Sequence, residues 1–110
     1  MKPLTWIASS LDDVKTFPAE ARKEIGYQLY KIQAGLEPSD WKPLSSLGAG
    51  IREIRVHAGN EYRVIYVAKF EEAVYVLHTF VKKATKTLKR DMMLASERIG
   101  QLAELRKRKS

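Results

Sequence analysis

The sequence predicts an α+β domain, an antiparallel sheet with helices packed on it, and three observations lead there. Three β-branched and aromatic runs, Ile51 to Val56, Tyr62 to Ala68 and Val74 to Val81, succeed one another with short connections. Stretches with apolar residues at helical spacing lie before and after them. At 110 residues the chain can bury one core and not two, so 1–110 is expected to be a single domain.

Taken in order, Leu4 to Ile7 is a short apolar strand. Ser10, with Asp13 three positions on, has the pattern of a helix start: the hydroxyl can cap an orphan N–H and the acid suits the helix dipole. This first helix is expected to end near Phe17. Pro18 fits the opening turn of a second helix, in which Ala21, Ile25, Leu29 and Ile32 recur on one face and Gly35 supplies a left-handed stop. The three strands come next, with turns at Ala58-Gly59-Asn60 and Glu71-Glu72. Two successive hairpins make an antiparallel meander, and the helices are expected to gather on one side of it. Beyond the sheet, Leu88, Met92, Ala95, Ile99, Leu102 and Leu105 form the stripe of an amphipathic helix, which covers the chain's own sheet or in part meets a partner's helix. Arg106 to Lys109 read as a frayed basic tail.

Composition removes several classes of function. With 45% hydrophobic and 30% charged residues the chain is that of an ordinary globular protein, and no apolar run approaches the length of about 20 that spans a bilayer. Met1 to Ser10 lacks signal-peptide architecture, so a cytoplasmic location without membrane contact is expected. Zero cysteines exclude disulfides, thiolate catalysis and Cys-based zinc sites, and two histidines are too few to build a metal site unaided. No cofactor is expected.

The charge is lopsided. Lys82 to Ser110 holds ten Lys and Arg against three acids, a net of +7, whereas Met1 to Val81 balances ten against ten. Lys82, Lys83, Lys86, Lys89 and Arg90 crowd the junction between the last strand and the last helix. A basic stretch there is ordinarily the solvated first turn of a helix. Here, however, like charges oppose the helix dipole at a few tenths of a kcal/mol each, a placement better explained by an anionic ligand than by folding. Strand alternation supplies two more cations: Glu53 and Arg55 point away from Ile54 and Val56, and Arg63 alternates with Tyr62 and Val64. Arg55 and Arg63 are therefore rim residues bonded to acids such as Glu53 or Glu61, or they line an open face that takes phosphate, where the planar guanidinium offers two parallel donors.

The runs Ile51-Arg-Glu-Ile-Arg-Val56, Glu61-Tyr-Arg-Val-Ile-Tyr66 and Val76-Leu-His-Thr-Phe-Val-Lys-Lys83, with Lys86-Thr87 and a closing basic helix, resemble in combination and order the toxins of type II toxin–antitoxin systems: the RelE/ParE superfamily and its HigB-like branch. The likeness covers nearly the whole chain. It implies a RelE-like fold, an N-terminal helical hairpin on a small curved, mostly antiparallel sheet with a C-terminal basic amphipathic helix. It further implies a metal-independent endoribonuclease that cuts mRNA on the ribosome and is held inactive by a cognate antitoxin, typically a helix-turn-helix protein. In such enzymes the 2′-hydroxyl attacks the adjacent phosphorus while basic side chains position and neutralise the phosphate. Carried over by position, the resemblance assigns that catalytic role to Arg63, Arg55 and Lys82 or Lys83, and gives Lys86, Lys89 and Arg90 the grip on flanking RNA. His78 joins these as an RNA-binding candidate, although a lone histidine in an apolar strand is more often a hydrogen-bonded structural residue. Where RelE-type enzymes place a second lysine on the first meander strand this chain has Glu53, and 85–110 contains no tyrosine, so the general acid and base are unassigned. The other reading the resemblance allows is a protein of the same fold that is no nuclease: a ParE-like gyrase inhibitor, or an inactive member that only binds its antitoxin.

Overall fold

The computed structural model describes residues 1–83 and 89–109. Its elements in order are β1 (Leu4–Trp6), α1 (Ser10–Lys15), α2 (Ala19–Gln33), β2 (Trp41–Pro43), β3 (Ile51–Ala58), β4 (Asn60–Val67), β5 (Val74–Val81) and α3 (Lys89–Lys109). The strands form one sheet in the order β1-β5-β4-β3-β2, antiparallel throughout except that β1 runs parallel to β5.

The expected helical hairpin covers one face of this sheet. Ala21, Ile25, Leu29 and Ile32 of α2 meet Ile54, Val56, Val64 and Tyr66, while Val14 and Phe17 close the same core near Tyr62. Ile25 and Leu29 are each 1% exposed, a burial that stabilises by about 2 kcal/mol per side chain. Gly35 stops α2 as predicted. With φ of +84° it lets its own N–H reach Ile32 O at 3.0 Å and the Leu36 N–H reach Lys31 O at 2.8 Å, the two bonds of a Schellman cap.

The helices do not gather on one side. Ala95 and Leu102 of α3 pack with Ile51, Ile65, Val67, Tyr75, Leu77 and Phe80 on the face opposite α2, so the sheet is the middle of three layers. The other strand faces are apolar enough to need covering too. The helix also runs on through Arg106–Lys109, which are its last turn and not a frayed tail. The first helix begins one residue early: Ser9 takes the cap position, and the buried Ser10 donates instead to Val76 O at 3.1 Å.

One irregularity positions side chains. Ile65 pairs with His78 and Tyr66 with Val76, leaving Leu77 as an extra residue in β5. A bulge of this kind reverses the parity of the strand beyond it, so His78 and Phe80 point toward α3 and not toward α2 with Val74 and Val76.

Candidate phosphate-binding face

Two cations face each other across the centre of the sheet. Arg55 on β3 is directly opposite Arg63 on β4, both on the face that α3 covers further along, and Phe80 of β5 is the next residue in the row. Lys82 continues the β5 register, its N–H bonded to Glu61 O at 2.7 Å, and by alternation leaves the backbone on the Arg63 side. It is half-buried, whereas Lys83, beyond the strand end, is exposed. Strand pairing thus brings together Arg55, Arg63 and Lys82, three of the four expected catalytic residues.

Like charges directly opposite on a sheet repel, and each arginine here is met by acid. Arg63 is 6% exposed; its Nη1 donates to Glu61 Oε1 at 3.2 Å and to Tyr62 O at 3.0 Å, and its Nε lies 3.8 Å from Glu53 Oε1. Glu53 is wholly buried, with Lys42 Nζ also 3.8 Å from Oε1. A buried carboxylate is costly without such cations, which explains why an acid and not a hydrophobe can sit under the arginine row. Arg55, more open, lies 3.7 Å from Asp40 Oδ1. Of the two alternatives that the sequence leaves open, the pairing with acids is the one seen, and the two arginines also share one face of the sheet.

Three participants escape the sequence reading. Lys42 and Asp40 belong to β2 and its approach, too short to carry a periodic signal. His57 stands on the same side of β3 as Glu53 and Arg55, and alternation alone would have found it. It bridges two carboxylates, Nε2 at 2.8 Å from Asp40 Oδ2 and Nδ1 at 2.7 Å from Glu61 Oε1. The bond to Asp40, then that to Glu61, raises the imidazole pKa above its ordinary 6.5, while Glu61 is lowered first by His57 and then by Arg63.

The remaining candidates lie elsewhere. His78 is 4% exposed and stacks on Phe80 with ring centroids 5.1 Å apart. Its Nδ1 accepts from Arg98 Nη1 at 2.9 Å, and since that guanidinium can only donate, Nε2 carries the proton that meets Asp91 Oδ1 at 2.8 Å. Burial, with the nearby Arg98 charge, lowers its pKa in spite of Asp91. With both nitrogens engaged inside the protein, His78 holds α3 on β5 and is turned away from the RNA contact expected of it. Lys89 and Arg90 are exposed on the first turn of α3. Lys86 lies outside the described residues.

Residues 12–100 match a family described as phage-derived protein Gp49-like (DUF891). No curated protein matches the chain.

Proposed function

The chain belongs to the phage-derived Gp49-like family, a toxin-like family of the RelE/HigB type, and from that premise we propose that it is the toxin of a type II toxin–antitoxin pair and cleaves ribosome-bound mRNA without a metal. The observation that carries this reading is the cross-strand Arg55–Arg63 pair, with Lys82 following on β5 on the same side of the sheet. Phosphate is the ligand that such an arrangement suits.

In this mechanism the 2′-hydroxyl gives its proton to water as its oxygen bonds to phosphorus, and the bond to the 5′-oxygen breaks with that oxygen taking a proton from water, leaving a 2′,3′-cyclic phosphate and a 5′-hydroxyl. Arg55 and Arg63 neutralise the two non-bridging oxygens, whose charge grows in the transition state, and Lys82 with Lys83 draws the flanking phosphate. Asp40 and Glu61 hold the guanidinium groups in place until phosphate takes their positions. Lys86, Lys89 and Arg90 track the backbone away from the scissile bond. A cognate helix-turn-helix antitoxin is the partner that silences the protein in the cytoplasm.

Mapping transcript ends after induction, with ribosomes present, tests the proposal. New ends inside translated codons, absent with Arg55→Ala, are expected. Cell death with intact transcripts would overturn it in favour of a gyrase poison of the same fold, and a harmless chain that still binds its antitoxin would mark an inactive member.

A further inference from the structure

His57 lies between two carboxylates that each also hold one of the candidate catalytic arginines. Carboxylate oxygens only accept hydrogen bonds, so ring nitrogens at 2.8 Å from Asp40 and 2.7 Å from Glu61 must both donate. Only the imidazolium has two N–H groups; the neutral ring can satisfy one contact and sets a lone pair against the other. The second oxygen of Asp40 lies 3.7 Å from Arg55, and Glu61 Oε1 lies 3.2 Å from Arg63. The charges therefore alternate along one chain: Arg55, Asp40, His57, Glu61, Arg63.

We propose that His57 is a positioning residue of the phosphate-binding face, its imidazolium holding Asp40 and Glu61 so that Arg55 and Arg63 can turn to RNA phosphate. This rests on the nuclease reading above and deepens it. When phosphate takes an arginine, the displaced carboxylate keeps a cation partner only if His57 is protonated. With His57 neutral, the carboxylates compete with RNA for the guanidinium groups. Linkage is reciprocal, so phosphate on the arginines also favours the imidazolium. A groove of about 500 Å³ next to His57 is lined by Glu20, Lys23 and Glu24 of α2 with Asp40 and Arg55, and Glu61 with Arg63 faces the ring from β4. Among these groups only His57 is of a type that titrates near neutrality. Its raised pKa puts the loss of activity above pH 6.5.

Two measurements test this from about pH 6 to about pH 9, the range in which a histidine changes charge. In single-turnover cleavage of ribosome-bound mRNA, wild type is expected to slow as pH rises through the His57 titration. His57→Gln is expected to be about tenfold slower at the acid end and to lack that limb. His57→Lys, a permanent cation able to meet both carboxylates, is expected to restore the rate and also lack the limb. In the second measurement, NMR titration of His57, adding inorganic phosphate is expected to raise the midpoint and move the Arg55 and Arg63 Nε–H signals with it. A His57→Gln enzyme with the rate and profile of wild type, or a midpoint indifferent to phosphate, overturns the proposal. Should even wild type fail to cleave, the nuclease reading falls, and the NMR midpoint still decides whether His57 governs anion access.

Discussion

Under the proposed mechanism Arg63 meets the reacting phosphate, yet replacing it removes more than that cation. Its guanidinium is one of the charges beside the buried Glu53, so Arg63→Ala leaves that carboxylate undercompensated and is expected to cost about 3 kcal/mol of stability, read as a lower urea midpoint. Inactivity of that variant alone would not separate chemistry from folding. Arg55 is the cleaner probe, being half-exposed and paired to Asp40 at 3.7 Å. Arg55→Ala is expected to keep the wild-type urea midpoint within about 0.5 kcal/mol and to slow ribosome-dependent cleavage by about 100-fold, the effect typical of removing one stabilising donor. His78 gives a pH prediction of definite sign. Burial lowers its pKa, so the unfolded chain takes up a proton more readily than the folded one; the stability it contributes is full above about pH 6.5 and is lost as pH falls through the folded value. Wild type should lose urea resistance below pH 6.5, and His78→Gln, which cannot take up that proton, should flatten the limb. His57 has the opposite sign, its stabilisation being present at low pH and lost on going above its raised pKa, but at 55% side-chain exposure its share is small. Alternation in the sequence set Arg55 and Arg63 on the sides of their strands away from the apolar neighbours, and the observed register put them opposite each other. Alternation misdirects at His78, because the extra Leu77 reverses the parity and nothing in the residue types announces a bulge.

Among the elements, α3 depends on a small polar clamp. Arg98, 7% exposed on this helix, donates to Leu77 O at 3.1 Å, to His78 Nδ1 at 2.9 Å and to Ser9 Oγ at 2.9 Å, tying α3, β5 and the start of α1 together. Arg98→Met keeps the stem and removes the donors, leaving buried acceptors unmet; a loss of about 3 kcal/mol and faster amide hydrogen exchange in the first turns of α3 are expected. At the end of α2, Gly35→Ala meets no atom within 4 Å, so its cost is conformational alone, about 1 kcal/mol for a left-handed residue with a Cβ, measurable as a drop in melting temperature. The stripe of α2 and the three meander strands were legible because each buries a face long enough to show its period. The stripe of α3 showed that the helix packs without showing on which side, since both faces of the sheet are apolar. β2 escaped notice because three residues ending in Pro43 are too few to alternate, and Leu88, the expected first member of the α3 stripe, lies outside the described residues.

For the whole molecule, the formal charge of +7 is divided in space. Lys89 and Arg90 open α3 and Arg106 to Lys109 close it, roughly 30 Å apart along a helix of 21 residues. At the far end Arg106 is already engaged, with Nε 2.7 Å from Glu72 Oε2 and the guanidinium 3.6 Å from the Phe70 ring centroid, and its bond leads the causes that lower the Glu72 pKa to about 2. The near end is tied to β5 close to the arginine row, Asp91 meeting His78 two residues from Phe80, which pairs with Arg63. Lys89→Glu with Arg90→Glu is therefore expected to weaken RNA or ribosome association and to flatten its dependence on log salt by about 0.7 for each phosphate the variant no longer neutralises, whereas Arg108→Glu should change that slope little. The position of the excess charge could be counted from the sequence, but its division in two required the length and direction of α3. The parallel pairing of β1 with β5 has a separate consequence during synthesis. Leu4 pairs with Val74, seventy positions later, so β1 waits for β5 to be made before it can join the sheet. A nascent chain interrupted before that point leaves β1 without a partner and the edge of β4 bare, an unfinished sheet prone to proteolysis and aggregation.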